Sequence, residues 1–134
     1  MNLLPARLRR TSGGAVALVA GAEIPLARWS DAALAPLLSA AAEASFGIRP
    51  EDLVLLGPDA PEQPAITGRV VGVEPLGAET LMQVETGEGA EITARLHRDA
   101  RAEPGATLRF GVPAAACYLF GPDGRAIRAD RVVH

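Results

Sequence analysis

The sequence is 134 residues long, which is the size of one globular domain. All of its 13 basic residues are arginine, so the chain has neither the lysine of a phosphate-binding P-loop nor a Schiff-base lysine. A formal net charge of -3 argues against a dedicated nucleic-acid-binding domain, because such domains normally carry a strongly basic face.

Short strands separated by turns dominate the first part of the sequence. Apolar runs at Leu3–Arg10 and Ala15–Ala20 flank Thr11-Ser12-Gly13-Gly14, and this pattern predicts a hairpin. Residues Glu23–Ala27 predict a third strand, which Pro25 restricts to the edge of a sheet.

An alanine- and leucine-rich segment then predicts one short helix over residues 31–42. Ser30 or Asp31 can cap the exposed amide groups at its start. Pro36 is compatible with the helix if it lies in the first turn. A turn is predicted next, over Gly47–Glu51, and the apolar run Leu53–Leu56 follows it.

The strand signal is clearest in the second half. Residues Thr67–Glu74 contain Gly68 and Gly72, and interior glycines predict a bulged or sharply bent strand. Residues Ala90–Leu96 alternate between apolar and polar side chains, as a half-buried strand does. Further strands are predicted at Thr80–Thr86, Ala106–Val112 and Ala116–Phe120.

Together these elements predict a mainly β fold, an OB-fold-like small barrel with one short helix near residues 31–42. We treat residues 1–134 as a single domain. Within it we distinguish N-terminal strands and helix over 1–56, a proline-rich linker over 57–65, core strands over 66–120 and a charged tail over 121–134.

Candidate catalytic residues do not form a recognisable set. One cysteine, Cys117, and two histidines, His97 and His134, are too few for a structural zinc site. Cys117 is expected to be buried and His97 to lie in a solvated segment. Arginines 95, 98 and 101 either form an anion-binding patch or belong to a neutralised charged face, and Trp29 lies either in the core or at a partner surface. The residues themselves therefore favour a module that binds or regulates.

Four segments, in order, resemble the C-terminal part of ATP-binding subunits of carbohydrate-type ABC importers. Gly47-Ile48-Arg49-Pro50-Glu51-Asp52-Leu53 is similar to that family's G-I-R-P-E-H-L segment, with Asp52 in place of histidine. The stretch from Gly68 to Thr80 resembles G-x-V-x-x-V-E-x-L-G-x-E-T, and 119–127 resembles L-F-D-x-x-T-G-x-R-I, with Gly121 in place of aspartate. Residues 1–6 resemble the M-N-F-L-x-G/A segment that follows the nucleotide-binding domain.

This resemblance, which is greatest for glycerol-3-phosphate and maltose importers, implies a transport-associated OB (TOBE) regulatory domain. It implies that the nucleotide-binding domain, with its ATP and Mg, lies outside these residues, so that this chain holds no cofactor and is not itself an enzyme. The implied partners are a second copy in a homodimer, its own nucleotide-binding domain and, indirectly, the membrane permease subunits. The implied location is the cytoplasmic side of a bacterial inner membrane.

The resemblance also marks six residues as interface or turn positions. Arg49 and Glu51 are expected to pair with a neighbouring domain, Gly77 and Glu79 to mark a tight strand connection, and Leu119 and Phe120 to fill the barrel. The main alternative is a stand-alone OB-type domain that binds a small oxyanion such as molybdate. A nucleic-acid-binding OB domain is less favoured, because only 4% of the residues are aromatic.

Overall fold

The computed structural model describes residues 1–39, 43–87 and 89–132. Within these residues the chain forms one α-helix, α1 (Asp31–Ser39), and short 3₁₀ turns at Pro50–Asp52 and Ala114–Ala116. It also forms ten strands: β1 (Asn2–Thr11), β2 (Gly14–Val19), β3 (Ala22–Pro25), β4 (Ala44–Ile48), β5 (Val54–Leu56), β6 (Ala65–Pro75), β7 (Glu79–Thr86), β8 (Glu91–His97), β9 (Thr107–Gly111) and β10 (Tyr118–Phe120).

The strands are arranged in two antiparallel sheets of five. The first sheet has the order β10-β4-β1-β2-β3, and the second has the order β5-β9-β6-β7-β8. One core joins them, with Phe46 from the first sheet and Phe110 from the second both fully buried. The mainly β, OB-like fold predicted from the sequence is therefore confirmed.

Local sequence signals place several of these strands as predicted. The hairpin of β1 and β2 forms, and β3, which contains Pro25, is an edge strand. A register shift between Val70 and Gly72 produces the predicted bulge in β6. In β8 the apolar residues Ile92, Ala94 and Leu96 are all buried.

Helix α1 begins where the capping signal predicts. Ser30 is its N-cap, since the Ser30 hydroxyl accepts a hydrogen bond from the amide of Ala33 at 3.2 Å. The helix covers Asp31–Ser39, and residues 40–42 of the predicted helix lie outside the described residues. Pro36 is the sixth helical residue, so it lies beyond the first turn, where it was expected. It therefore removes one backbone hydrogen bond from the helix.

The turn predicted over Gly47–Glu51 is wrong for its first half. Gly47 is a strand residue of β4, paired with Leu3 on one side and Tyr118 on the other. A Cβ atom at this position would lie 2.7 Å from Met1 Sδ and 3.0 Å from Phe120 Cε2. The glycine thus permits a close approach of neighbouring side chains, and the chain turns only at Pro50–Asp52.

The two sheets are also joined by a side chain that imitates a peptide group. The amide nitrogen of Asn2 donates to the carbonyl of Thr93 at 2.9 Å, and the Asn2 carbonyl accepts from the amide of Thr93 at 2.9 Å. Asn2 thereby links β1 to β8, the edge strand of the second sheet. In the described part of the chain, no helix has the length and apolar character needed to cross a membrane.

Candidate interaction surface

The outer face of the first sheet carries large exposed apolar side chains. Leu4, Phe46 and Leu119 point into the core and are at most 2% exposed. The neighbouring residues of the same strands point outward, because side chains alternate along a strand. Met1 and Leu3 are 53% and 59% exposed on this outer face. We call this face, formed by Met1, Leu3, Pro5, Gly47, Tyr118 and Phe120, the apolar face.

Gly47 lies at the centre of the apolar face. The side chains of Met1 and Phe120 cover it from neighbouring strands, as the distances at its missing Cβ show. An open groove next to it is lined by Leu3, Pro5, Ser45 and Pro122. The surface is therefore contoured by the absence of a side chain at one position.

Two arginines flank Tyr118 at one end of the apolar face. The guanidinium carbons of Arg28 and Arg49 lie 5.9 and 5.6 Å from the Tyr118 ring centroid, within the range of a cation–π interaction. Arg28 Nη1 also donates to the carbonyl of Cys117. The Tyr118 hydroxyl raises the pKa of Arg49, and Glu51 adds to that effect, so Arg49 keeps its charge.

Ion pairs of both signs border the other end of the face. Arg7 Nη2 lies 3.6 Å from Glu43 Oε1, and Arg9 contacts Glu23. Both pairs are largely exposed, so they contribute at most about 1 kcal/mol each to stability. Their main effect is to place acidic and basic groups side by side around an apolar centre.

The six residues marked by the resemblance fall into two regions. Arg49 and Phe120 come together on the apolar face, and Glu51 lies exposed in the adjacent 3₁₀ turn. Gly77, with a φ of +87°, and Glu79 instead mark the connection between β6 and β7 in the second sheet.

Leu119 and Phe120 do not share a role. Leu119 is 1% exposed and lies in the core. Phe120, which was expected to fill the barrel with it, points to the apolar face instead. The reason is that adjacent residues of a strand project to opposite sides of the sheet.

The other residues considered from the sequence are in ordinary structural environments. Burial raises the pKa of the Cys117 thiol to about 12, an effect that the nearby Arg28 charge only partly opposes. His97 is exposed next to Asp99, and Arg95 Nε lies 3.0 Å from Glu79 Oε2. Among the residues that the structure describes, no three His, Cys, Asp or Glu side chains cluster in a way that could hold a metal ion.

Two features of the surface were missed by sequence reasoning. The first is the participation of Met1 and Leu3, and the second is the pairing of Arg28 with Tyr118. An exposed leucine at an alternating strand position was the available signal for Leu3. The contact between Arg28 and Tyr118 depends on tertiary structure and had no local signal.

The TOBE domain family matches this chain over residues 46–120. Among curated proteins, the chain is 34% identical over 131 residues to the alpha-glucoside transport ATP-binding protein AglK of Rhizobium meliloti, covering 96% of this chain and 34% of AglK. It is 32% identical over 123 residues to the ABC transporter ATP-binding protein y4oS of Sinorhizobium fredii, covering 92% of this chain and 30% of that protein.

A third relative is the maltose/maltodextrin import ATP-binding protein MalK of Vibrio cholerae, 42% identical over 86 residues, or 63% of this chain and 22% of MalK. The chain thus spans only between 22% and 34% of the length of these relatives. Among solved structures, the cytoplasmic molybdate-binding protein ModG has a similar fold, with a TM-score of 0.72 and 17% identity over 90% of this chain and 96% of ModG.

Proposed function

Because this chain belongs to the TOBE domain family, we propose that it is the regulatory and dimerisation domain of an ATP-binding subunit in a bacterial sugar importer. The observation that carries this proposal is the similarity to AglK, which extends over 96% of the chain. Glycerol-3-phosphate remains a second candidate solute on the motif resemblance alone.

In this proposal ATP hydrolysis belongs to the nucleotide-binding domain of the same subunit. The lysine-free sequence supports that division, because a P-loop requires a lysine for the nucleotide phosphates. The subunit would act on the cytoplasmic side of the membrane and engage the permease subunits through its nucleotide-binding domain. The present domain would not hydrolyse ATP itself.

The apolar face is the surface that we assign to self-association. A two-fold symmetric interface uses the same patch on both copies, so the patch must complement itself. The apolar face meets this requirement, since its centre is apolar and its borders carry both Arg7–Glu43 and Arg9–Glu23. Two copies rotated against each other could exchange partners between such pairs. A contact of this kind would keep the two catalytic domains at high effective concentration throughout the cycle.

Arg49 and Glu51 lie next to this face, which supports the expectation that they contact a neighbouring domain. Arg49 is already oriented by the Tyr118 ring, so its side chain would lose little conformational freedom on binding. Glu51 is exposed in the 3₁₀ turn that follows.

Self-association is tested by sedimentation equilibrium of the chain at concentrations up to about 1 mM, where an interaction of about -4 kcal/mol is detectable. We expect a monomer–dimer equilibrium that the Leu3→Asp variant abolishes. Leu76→Asp is the matched control, since Leu76 is 49% exposed but lies after β6 in the second sheet. Monomeric wild-type protein, or equal loss in both variants, would contradict the assignment of the apolar face.

The transport role is tested separately with a chimera of AglK. This chain replaces the segment of AglK that it matches, and alpha-glucoside uptake is measured in cells that lack AglK. We expect uptake to return, whereas a chimera carrying ModG in the same place shares the fold but should not restore uptake. A chimera with this chain that accumulates and hydrolyses ATP, yet supports no uptake, would overturn the proposed function.

A further inference from the structure

The last described segment of the chain folds back across the start of the helix. We call residues 126–131 the strap. Ala126 forms a β-bridge with Phe120, and the amide of Ile127 donates to the carbonyl of Leu119 at 2.8 Å. The strap therefore extends the edge of the first sheet beyond β10.

The strap then contacts a loop that is about 100 positions earlier in the sequence. The amides of Asp130 and Arg131 both donate to the carbonyl of Arg28, at 3.0 and 2.9 Å. The indole nitrogen of Trp29 donates to the carbonyl of Ile127 at 2.8 Å. Trp29 is only 3% exposed, and the strap provides the hydrogen-bond acceptor for its buried end.

A carboxylate in the strap also holds the N-cap of α1. The backbone amide of Ser30 donates to Asp130 Oδ1 at 2.7 Å, and the Ser30 hydroxyl donates to Asp130 Oδ2. The same Ser30 hydroxyl accepts from the amide of Ala33. Asp130 thus orients the residue that caps the helix, and it does so from the strap.

The strap itself is weakly anchored. Ile127 and Ala129 are half-buried, whereas its other four residues are exposed. Hydrogen bonds that exchange readily with water contribute little net stability. Segments with few buried apolar contacts open with a smaller free energy than the whole domain unfolds.

We propose that the strap is a latch, which opens while both sheets remain folded and thereby exposes Trp29 and releases the N-cap of α1. The helix is sensitive to this release because it has only nine residues and contains Pro36. Since Ala126 pairs with Phe120, the latch also adjoins the apolar face. A partner that binds the open strap, or the loop beneath it, would change the edge of that face.

Hydrogen exchange of the complete chain tests the latch directly. We expect the amides of Ile127, Asp130 and Arg131 to exchange about 100-fold faster than the amides of β7, which open only on global unfolding. Equal exchange rates in the strap and in β7 would overturn the proposal, and this comparison requires no variant.

The Asp130→Ala variant provides a second readout through Trp29, the single tryptophan of the sequence. We expect a red-shifted Trp29 emission and about tenfold faster exchange in the strap, with β7 unchanged. Asp123→Ala is the matched control, because Asp123 accepts a hydrogen bond from the amide of Arg125 at 3.0 Å within its own turn. Unchanged emission and exchange in Asp130→Ala, or the same changes in Asp123→Ala, would contradict the role of Asp130.

Discussion

Replacing Gly47 by alanine tests whether the close packing over this residue shapes the apolar face. The new Cβ atom would lie 2.7 Å from Met1 Sδ, 3.0 Å from Phe120 Cε2 and 3.3 Å from Tyr118 Cβ. The methionine sulfur can move away, since it belongs to a flexible side chain. The Phe120 ring and the backbone of β10 have less freedom, so the alanine must push them outward.

The expected free-energy change combines two opposing effects. Overpacking typically destabilises by about 1–3 kcal/mol, and the mobile Met1 side chain places this site near the lower limit. Removing a glycine also reduces the conformational freedom of the unfolded chain, which stabilises by about 0.4–1 kcal/mol. We therefore expect Gly47→Ala to destabilise by about 1 kcal/mol, which lowers Tm by about 3–5 °C in a domain of this size.

Thermal unfolding followed by circular dichroism measures this change. Gly57→Ala is the control, because a Cβ atom there would have no neighbour within 4 Å, so Tm should stay constant or rise slightly. In a Phe120→Ala background, we expect the cost of Gly47→Ala to fall by about 0.5 kcal/mol or more, because the ring that it displaces is absent. A wild-type Tm for Gly47→Ala, or an equal cost in both backgrounds, would refute this account of the packing.

Three further predictions concern the titratable groups and the ligand alternative. Ser30 lowers the pKa of Asp130 through its hydroxyl and its amide, and Arg131 adds to the effect. Protection of the strap amides should therefore be complete above the ordinary carboxyl pKa and be lost as pH falls below about 4; loss near neutral pH would contradict this. Because burial raises the pKa of Cys117 to about 12, iodoacetamide at about pH 8 should label it at least about 100-fold faster in urea than in buffer, and rapid labelling of the native chain would argue against a buried thiol. Millimolar molybdate should leave Tm unchanged, whereas a rise of several degrees would favour the oxyanion-binding alternative.

The strands and the helix start were predictable where the signal is local. Alternation in β8 and the glycines of β6 reflect a face and a bulge that neighbouring residues specify. Ser30 announces the helix because its hydroxyl can reach an amide three residues later. Gly47 misled the prediction because glycine is common in turns. Its actual role depends on Met1 and Phe120, which come from distant parts of the chain.

The candidate surface was predictable only in part, for the same reason. Arg49 and Phe120 were singled out through the motif resemblance, but their convergence around Tyr118 and Gly47 is a consequence of strand pairing. The strap was predicted only as a charged tail, because its exposed residues hide the contacts of Ile127 and Asp130. The hydrogen bond between Trp29 and Ile127 spans 98 positions, a separation that no local pattern encodes.

The hydrogen bonds of Asn2 have a consequence for how these molecules meet one another. An uncovered border strand offers a row of amides and carbonyls on which another chain can stack, and this is a common route to fibrous aggregates. At Thr93 the carboxamide of Asn2 already uses both of those groups. The molecule can therefore be crowded against its own copies while growth from that border is blocked, and contact through side chains on a broad surface remains open to it.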